Sequence, residues 1–154
     1  MHRSPAEMPS EREPPPMQGF PNIVHRHRSW TIRADIPAGS RAPSEARQAL
    51  APLLEGLDPQ AAGAVVLVAS ELVTNSVLHS RADEGTPIEL EASIDDDQVR
   101  LTVRDPGHGF DPGAHAPEAG TVGGWGLQVV DGLVDRWWVE VDDGTRVTCE
   151  LTAA

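Results

Sequence analysis

The stretch from Asp58 to Ser80 constrains this chain more than any other part of it. Asp58-Pro59 places a capping carboxylate directly before a proline in the first helical turn, which is a strong start signal. The apolar run Ala64-Val65-Val66-Leu67-Val68-Ala69 follows and leads into Ser70-Glu71-Leu72-Val73-Thr74-Asn75-Ser76-Val77-Leu78-His79-Ser80. A helix of this length and apolarity has to meet a core, so the sequence predicts one from Pro59 to about Ser80. Glu71 and Asn75 are four apart and share a face of it. Two readings fit that face. It is the wet side of an amphipathic helix, or it pairs a proton-accepting carboxylate with a carboxamide that holds a hard metal ion through oxygen.

The segments around this helix alternate in strand fashion. Ser29 to Ile36 reads as a first strand, with Trp30 and Ile32 on one face and Thr31, Arg33 and Asp35 on the other. A first helix is expected from about Pro43 to Leu54, with Pro52 ending it early. Strands are expected at Ile88–Ile94 and Gln98–Arg104, joined through the solvated tip Asp95-Asp96-Asp97. In the second of these, Val99, Leu101 and Val103 share a face, and the next residue of that row is Asp105. A carboxylate that continues an apolar row is costly to bury unless something donates to it. Asp105-Pro106-Gly107-His108-Gly109-Phe110 is either an ordinary turn or the mouth of a cleft. In the second case its glycines admit a flat ligand and its aspartate accepts from an exocyclic amine. Residues 111 to 122 lack any period and look like a lid. Gly123-Gly124-Trp125-Gly126-Leu127 then opens a short helix, whose free amides would suit phosphate. Trp137–Val141 and Arg146–Thr152 form a closing hairpin around Asp142-Asp143-Gly144.

Composition narrows the chemistry. The net charge is −12, which argues against a nucleic-acid partner. All twelve basic residues are arginine and none is lysine, which excludes Schiff-base catalysis and any phosphate loop that depends on lysine. Residues 1–27 are proline-rich and expected to be a disordered tail, and 28–154 the folded domain. His25 and His27 do not make a metal set with the one cysteine, Cys149, which is expected to be a buried thiol in a strand. No apolar run is expected to span a bilayer, so a cytoplasmic, soluble protein is the expectation.

Glu71-x-x-x-Asn75, Asp105-x-Gly107-x-Gly109 and Gly124-x-Gly126-Leu127 occur in one order that resembles a known family. It is the GHKL-type ATP-binding domain shared by histidine kinases, type II topoisomerases, mismatch-repair ATPases and heat-shock chaperones. Within it, the wording of the first and last boxes is most similar to free-standing anti-sigma-factor serine/threonine kinases of actinobacteria, over roughly residues 29 to 152. The resemblance implies an α+β fold, a two-layer α/β sandwich of Bergerat type. Its sheet is mixed and mostly antiparallel, with helices on one face. It implies ATP and Mg²⁺ as cofactors, with Asn75 on the metal and Asp105 on the adenine amine. Gly107 and Gly109 would shape the base pocket, and Gly124, Gly126 and Leu127 the phosphate cradle. Glu71 would be the general base toward a partner's serine or threonine. The expected partners are a sigma factor or an anti-sigma antagonist, with a homodimer also implied. The family's Gly-x-Thr is displaced here, and Thr145 or Thr148 is left to replace it. The alternative is a non-catalytic ATP-binding interaction module. A sensor histidine kinase fits less well, because the dimerising helices are not in this sequence.

Overall fold

A computed structural model of the chain describes residues 29–79, 86–107 and 126–153. The expected tail over 1–27, the stretch 111–122, and Gly109 and Gly124 lie outside them. The elements in order are β1 (Ser29–Pro37), α1 (Ala42–Leu54), α2 (Pro59–His79), β2 (Pro87–Asp95), β3 (Gln98–Asp105), α3 (Gly126–Leu133), β4 (Arg136–Val141) and β5 (Thr145–Thr152). The strands form one sheet in the order β1-β2-β3-β5-β4, and all four pairings are antiparallel. α1 packs on β1 and β2, α2 packs on β3 and β5, and α3 packs on α2. The result is the expected α+β sandwich with its helices on one face.

The start of α2 follows the capping rule: Asp58 Oδ1 accepts from the backbone N–H of Gln60 at 2.9 Å and of Ala61 at 3.1 Å. Val65, Val68, Ala69, Leu72, Val73 and Ser76 then recur at three- and four-residue spacing and are buried. One expectation needs correcting here. With 21 residues and few charges, α2 is by length and composition apolar enough to cross a membrane. Its place in the fold is that of a core helix, held between the sheet, α1 and α3. α1 also differs from expectation, because Pro52 lies inside it rather than ending it. Pro52 and Gln48 are both exposed, so the ring projects into solvent and the carbonyl that loses its helical donor is beside water.

The core joins Leu50 and Leu53 of α1 and Val65, Val68, Leu72 and Val73 of α2 to one face of the sheet. That face carries Ile88, Leu90, Ala92 and Ile94 of β2, Val99, Leu101 and Val103 of β3, and Val147, Cys149 and Leu151 of β5. Each fully buried leucine or isoleucine contributes about 1.5–3 kcal/mol relative to exposure. Burial pushes the Cys149 thiol up to about 12, so it stays protonated and inert, as its strand position suggested. The adjacent tryptophans split between faces. Trp137 packs on the core with its Nε1 donating to Asp131 Oδ1 at 3.0 Å, and Trp138 lies on the opposite face with the Arg136 guanidinium 5.2 Å above its ring.

That opposite face has no described helix over it and is a lattice of charge. Arg104 bridges Glu89 at 3.2 Å and Asp143 at 2.6 Å. Glu150, only 1% exposed, accepts from Arg136 Nε and, at 2.9 and 2.6 Å, from Nε and Nη2 of Arg100. The hydrogen bond from Arg136 holds the Glu150 carboxyl below the usual range, Arg100 assists it, and burial opposes them.

Candidate functional site

Two clusters of polar residues form on the helix side of the sheet, each where a regular element ends. The first stands at the C-terminal end of β3. Parity carries Asp105 into the buried row, where it is 8% exposed. Its Oδ1 accepts from the Gly107 N–H at 2.8 Å, an Asx turn that fixes the chain as it leaves the strand. Asp105 pairs across the ladder with Thr145, whose Oγ1 donates to the Gly107 carbonyl at 3.1 Å. Gly107 is thus held from both sides, through its N–H by Asp105 and through its C=O by Thr145. Gly144 completes the cluster, since a Cβ there would overlap the carbonyl oxygen of Asp105. β5 can lie this close to the end of β3 only because position 144 has no side chain.

The two threonines left open by the sequence are now separated. Thr145 is buried in this cluster. Thr148 is three residues on, so its side chain falls on the opposite face, where its Oγ1 lies 3.3 Å from that of Thr102. Thr145 is the threonine beside Asp105.

The second cluster lies between α2 and α3. Glu71 and Asn75 converge on one point, the first residue of α3. A Cβ at Gly126 would sit 2.6 Å from Glu71 Oε2 and 3.5 Å from both Oδ1 and Nδ2 of Asn75. The helical spacing therefore does what it promised, placing carboxylate and carboxamide side by side against the glycine that opens α3. Ser70, on the same stretch, has a structural part: its Oγ donates to the Val66 carbonyl at 2.8 Å and accepts from Arg47 of α1 at 3.4 Å. Leu127 is half-buried in the first turn of α3. Of the expected site residues, Glu71, Asn75, Gly126 and Leu127 thus gather at the α2–α3 contact, and Asp105 and Gly107 at the β3 end. Gly109 and Gly124 fall outside the described residues. Sequence reasoning missed Gly144, and it left Thr145 undecided.

Two concavities formed by described residues lie elsewhere. One of about 540 Å³ lies on the outer sheet face around Thr102, Thr148 and Trp138, and one of about 420 Å³ lies between Leu67 of α2 and Leu133 of α3. The first is lined by as many acidic as basic side chains, and neither touches Glu71, Asn75 or Asp105. The chemistry-bearing residues converge in the two clusters instead. They combine a buried carboxylate at a strand end, oxygen donors suited to a hard cation, and a glycine-opened helix start without lysine.

Comparison with known proteins fits this arrangement. The signature described as a histidine kinase-like ATPase domain matches residues 36–151. Among solved structures, the RsbU and RsbW domains of a Mycobacterium tuberculosis protein align with a TM-score of 0.62 and 24% identity, over 79% of this chain and 31% of that one. The histidine kinase domain of a blue-light activated histidine kinase from Erythrobacter litoralis aligns with a TM-score of 0.50 and 26% identity, over 77% and 62%. The SiaB–SiaC complex from Pseudomonas aeruginosa aligns with a TM-score of 0.52 and 14% identity, over 82% of this chain and 92% of that one. The chain therefore spans less than two thirds of the first two structures it resembles. No curated protein matches it.

Proposed function

Because this chain belongs to the histidine kinase-like ATPase domain family, we propose that it is an ATP-binding regulatory protein that phosphorylates a protein partner on serine or threonine. The observation that carries this reading is the convergence of Glu71 and Asn75 on Gly126. Held beside the glycine that opens α3, this carboxylate would serve as the proton acceptor that phosphoryl transfer needs and nucleotide binding alone does not. The alignment with the RsbW domain and with SiaB supports the fold of such a protein. The partner class, a sigma factor or its antagonist, is carried by the sequence resemblance, as is the homodimer.

The residues present suit a magnesium nucleotide. The carboxamide of Asn75 stands beside the Glu71 carboxylate at the first residue of α3, an oxygen donor of the kind a hard divalent cation takes. ATP with Mg²⁺ would supply the transferable phosphoryl group and neutralise its charge. Asp105, fixed by the Gly107 N–H, would accept from the amine of the base, and Thr145 holds Gly107 in place beside it. Asn75 would hold the metal. Glu71 takes the proton from the partner's hydroxyl while that oxygen bonds to the γ-phosphorus. The bond from phosphorus to the β,γ-bridging oxygen breaks, and ADP leaves with the electron pair. Positioning and charge account for most of the rate, and the base for a smaller part.

The test is ATP affinity by calorimetry with and without Mg²⁺, for wild type and Asn75→Ala. Wild type should bind more tightly with the metal, and Asn75→Ala should lose that increment alone. Absence of binding at millimolar ATP would sink the reading.

A further inference from the structure

Gly126 and Gly144 both sit where a side chain would collide, but with different kinds of neighbour. At Gly144 the obstacle is backbone, the carbonyl of Asp105, and nothing can swing aside. At Gly126 it is the tip of one flexible side chain, Glu71 Oε2, while Asn75 would remain in ordinary contact at 3.5 Å. A methyl group at 126 would therefore leave the fold and Asn75 in place and displace the Glu71 carboxylate alone. The backbone of Gly126 does not need a left-handed conformation, so neither does φ require glycine there. An alanine would in fact be the better helix former.

We infer that Gly126 is a positioning residue for Glu71: its missing side chain seats the carboxylate against the start of α3 and fixes where the base points. This rests on the reading of Glu71 as the base. It assigns the glycine a task separate from cradling phosphate, because the contact is with the base itself. It also couples the two helices. Any movement of the first turn of α3 moves the wall against which Glu71 rests, and Asn75 shares that wall.

The test is a double-mutant cycle in the full chain, with two readouts. The first is single-turnover hydrolysis of Mg²⁺·ATP, where water is the acceptor. Glu71 takes its proton, its oxygen bonds to the γ-phosphorus, and ADP leaves as the bridging bond breaks. Gly126→Ala should lower the single-turnover rate constant about 100-fold, as for an ångström-scale misplacement, and by more than it lowers ATP affinity. Adding Glu71→Asp, one methylene shorter, should make room for the methyl and raise the rate above that of Gly126→Ala alone. A glycine that only cradles phosphate or only packs would instead give multiplicative losses.

The second readout is thermal unfolding, which needs no catalysis. Gly126→Ala should raise the melting temperature by about 2–4 °C more in a Glu71→Ala background than in wild type, because the carboxylate that the methyl must displace is then gone, while the helix-propensity gain is common to both backgrounds and cancels. A wild type without turnover, combined with this coupling, would sink the base reading and keep the seat. Absence of coupling in both readouts would overturn the seat whatever the enzyme's activity.

Discussion

Asp105→Asn would separate the two tasks that the proposed function gives the Asp105 carboxylate. Oδ1 accepts from the Gly107 N–H at 2.8 Å and shapes the turn, and an asparagine oxygen can keep that bond. What changes is the other position, where an acceptor oxygen becomes an N–H₂ donor. With that oxygen facing the amine of adenine, as proposed, the variant would lose a hydrogen bond to a charged group and set donor against donor. Such a bond is worth about 1.5–3 kcal/mol, so ATP affinity should fall roughly 10- to 150-fold. Fold stability should fall by no more than about 1 kcal/mol, because the Gly107 N–H stays satisfied. Asp105→Ala is the contrast. It strands that buried N–H as well, and should cost about 1–3 kcal/mol of stability on top of the lost binding. Calorimetry with ATP and urea unfolding without nucleotide measure the two effects separately. Inosine triphosphate sharpens the test, since its base presents an oxygen where adenine presents the amine. The new carboxamide can donate to that oxygen, so Asp105→Asn should narrow or invert the preference for ATP over inosine triphosphate. If the asparagine variant binds ATP as wild type does, Asp105 is not the base-reading group. If it unfolds as readily as the alanine variant, the proposed division of labour between the two oxygens is wrong.

Three further outcomes follow from the packing. Gly144→Ala forces a Cβ into the Asp105 carbonyl, so it should destabilise by about 1–3 kcal/mol in urea unfolding and weaken ATP binding by moving the end of β3; a neutral effect would mean that β5 is not this close to β3. Asp58→Ala removes the acceptor for two backbone donors at the start of α2 and should cost about 1 kcal/mol, seen as a lower urea midpoint with unchanged slope. Glu150 is held below the usual carboxyl range, first by Arg136 and then by Arg100, so its contribution to stability is full above its unfolded value of 4.5 and is lost as pH falls through the lower folded value. Glu150→Gln should therefore flatten the fall in melting temperature below about pH 4.5, and an unchanged slope would show that the carboxylate is not held by the arginines.

What the sequence made legible was local. Asp58-Pro59 marked the start of α2 because capping and proline chemistry act within one turn. Parity alone carried Asp105 into the buried row, since the strand period of two persists to the end of β3. Glu71 and Asn75 could be placed on one face for the same kind of reason. Pro52 misled because the sequence does not say which side of α1 meets water, and a proline on the solvent side of the last turns is tolerated.

The features that stayed hidden all join residues far apart in the chain. Choosing between Thr145 and Thr148 required knowing which face of β5 the helices cover, and that is set by its register against β3, where Asp105 lies opposite Thr145. Glu150 alternates as a solvent-side residue should, yet arginines from β3 and β4 bury it, a consequence of the strand order rather than of any local pattern. Gly126 looks like any helix-opening glycine until α3 lies on α2 and its Cα is pressed toward a carboxylate 55 residues earlier in the sequence. The site thus depends on where elements terminate and touch, while the scaffold depends on their periodicity. Substitutions along the periodic faces should accordingly act on stability. Those at Gly126 and at the second oxygen of Asp105 should act on the nucleotide and the base, with the fold left standing.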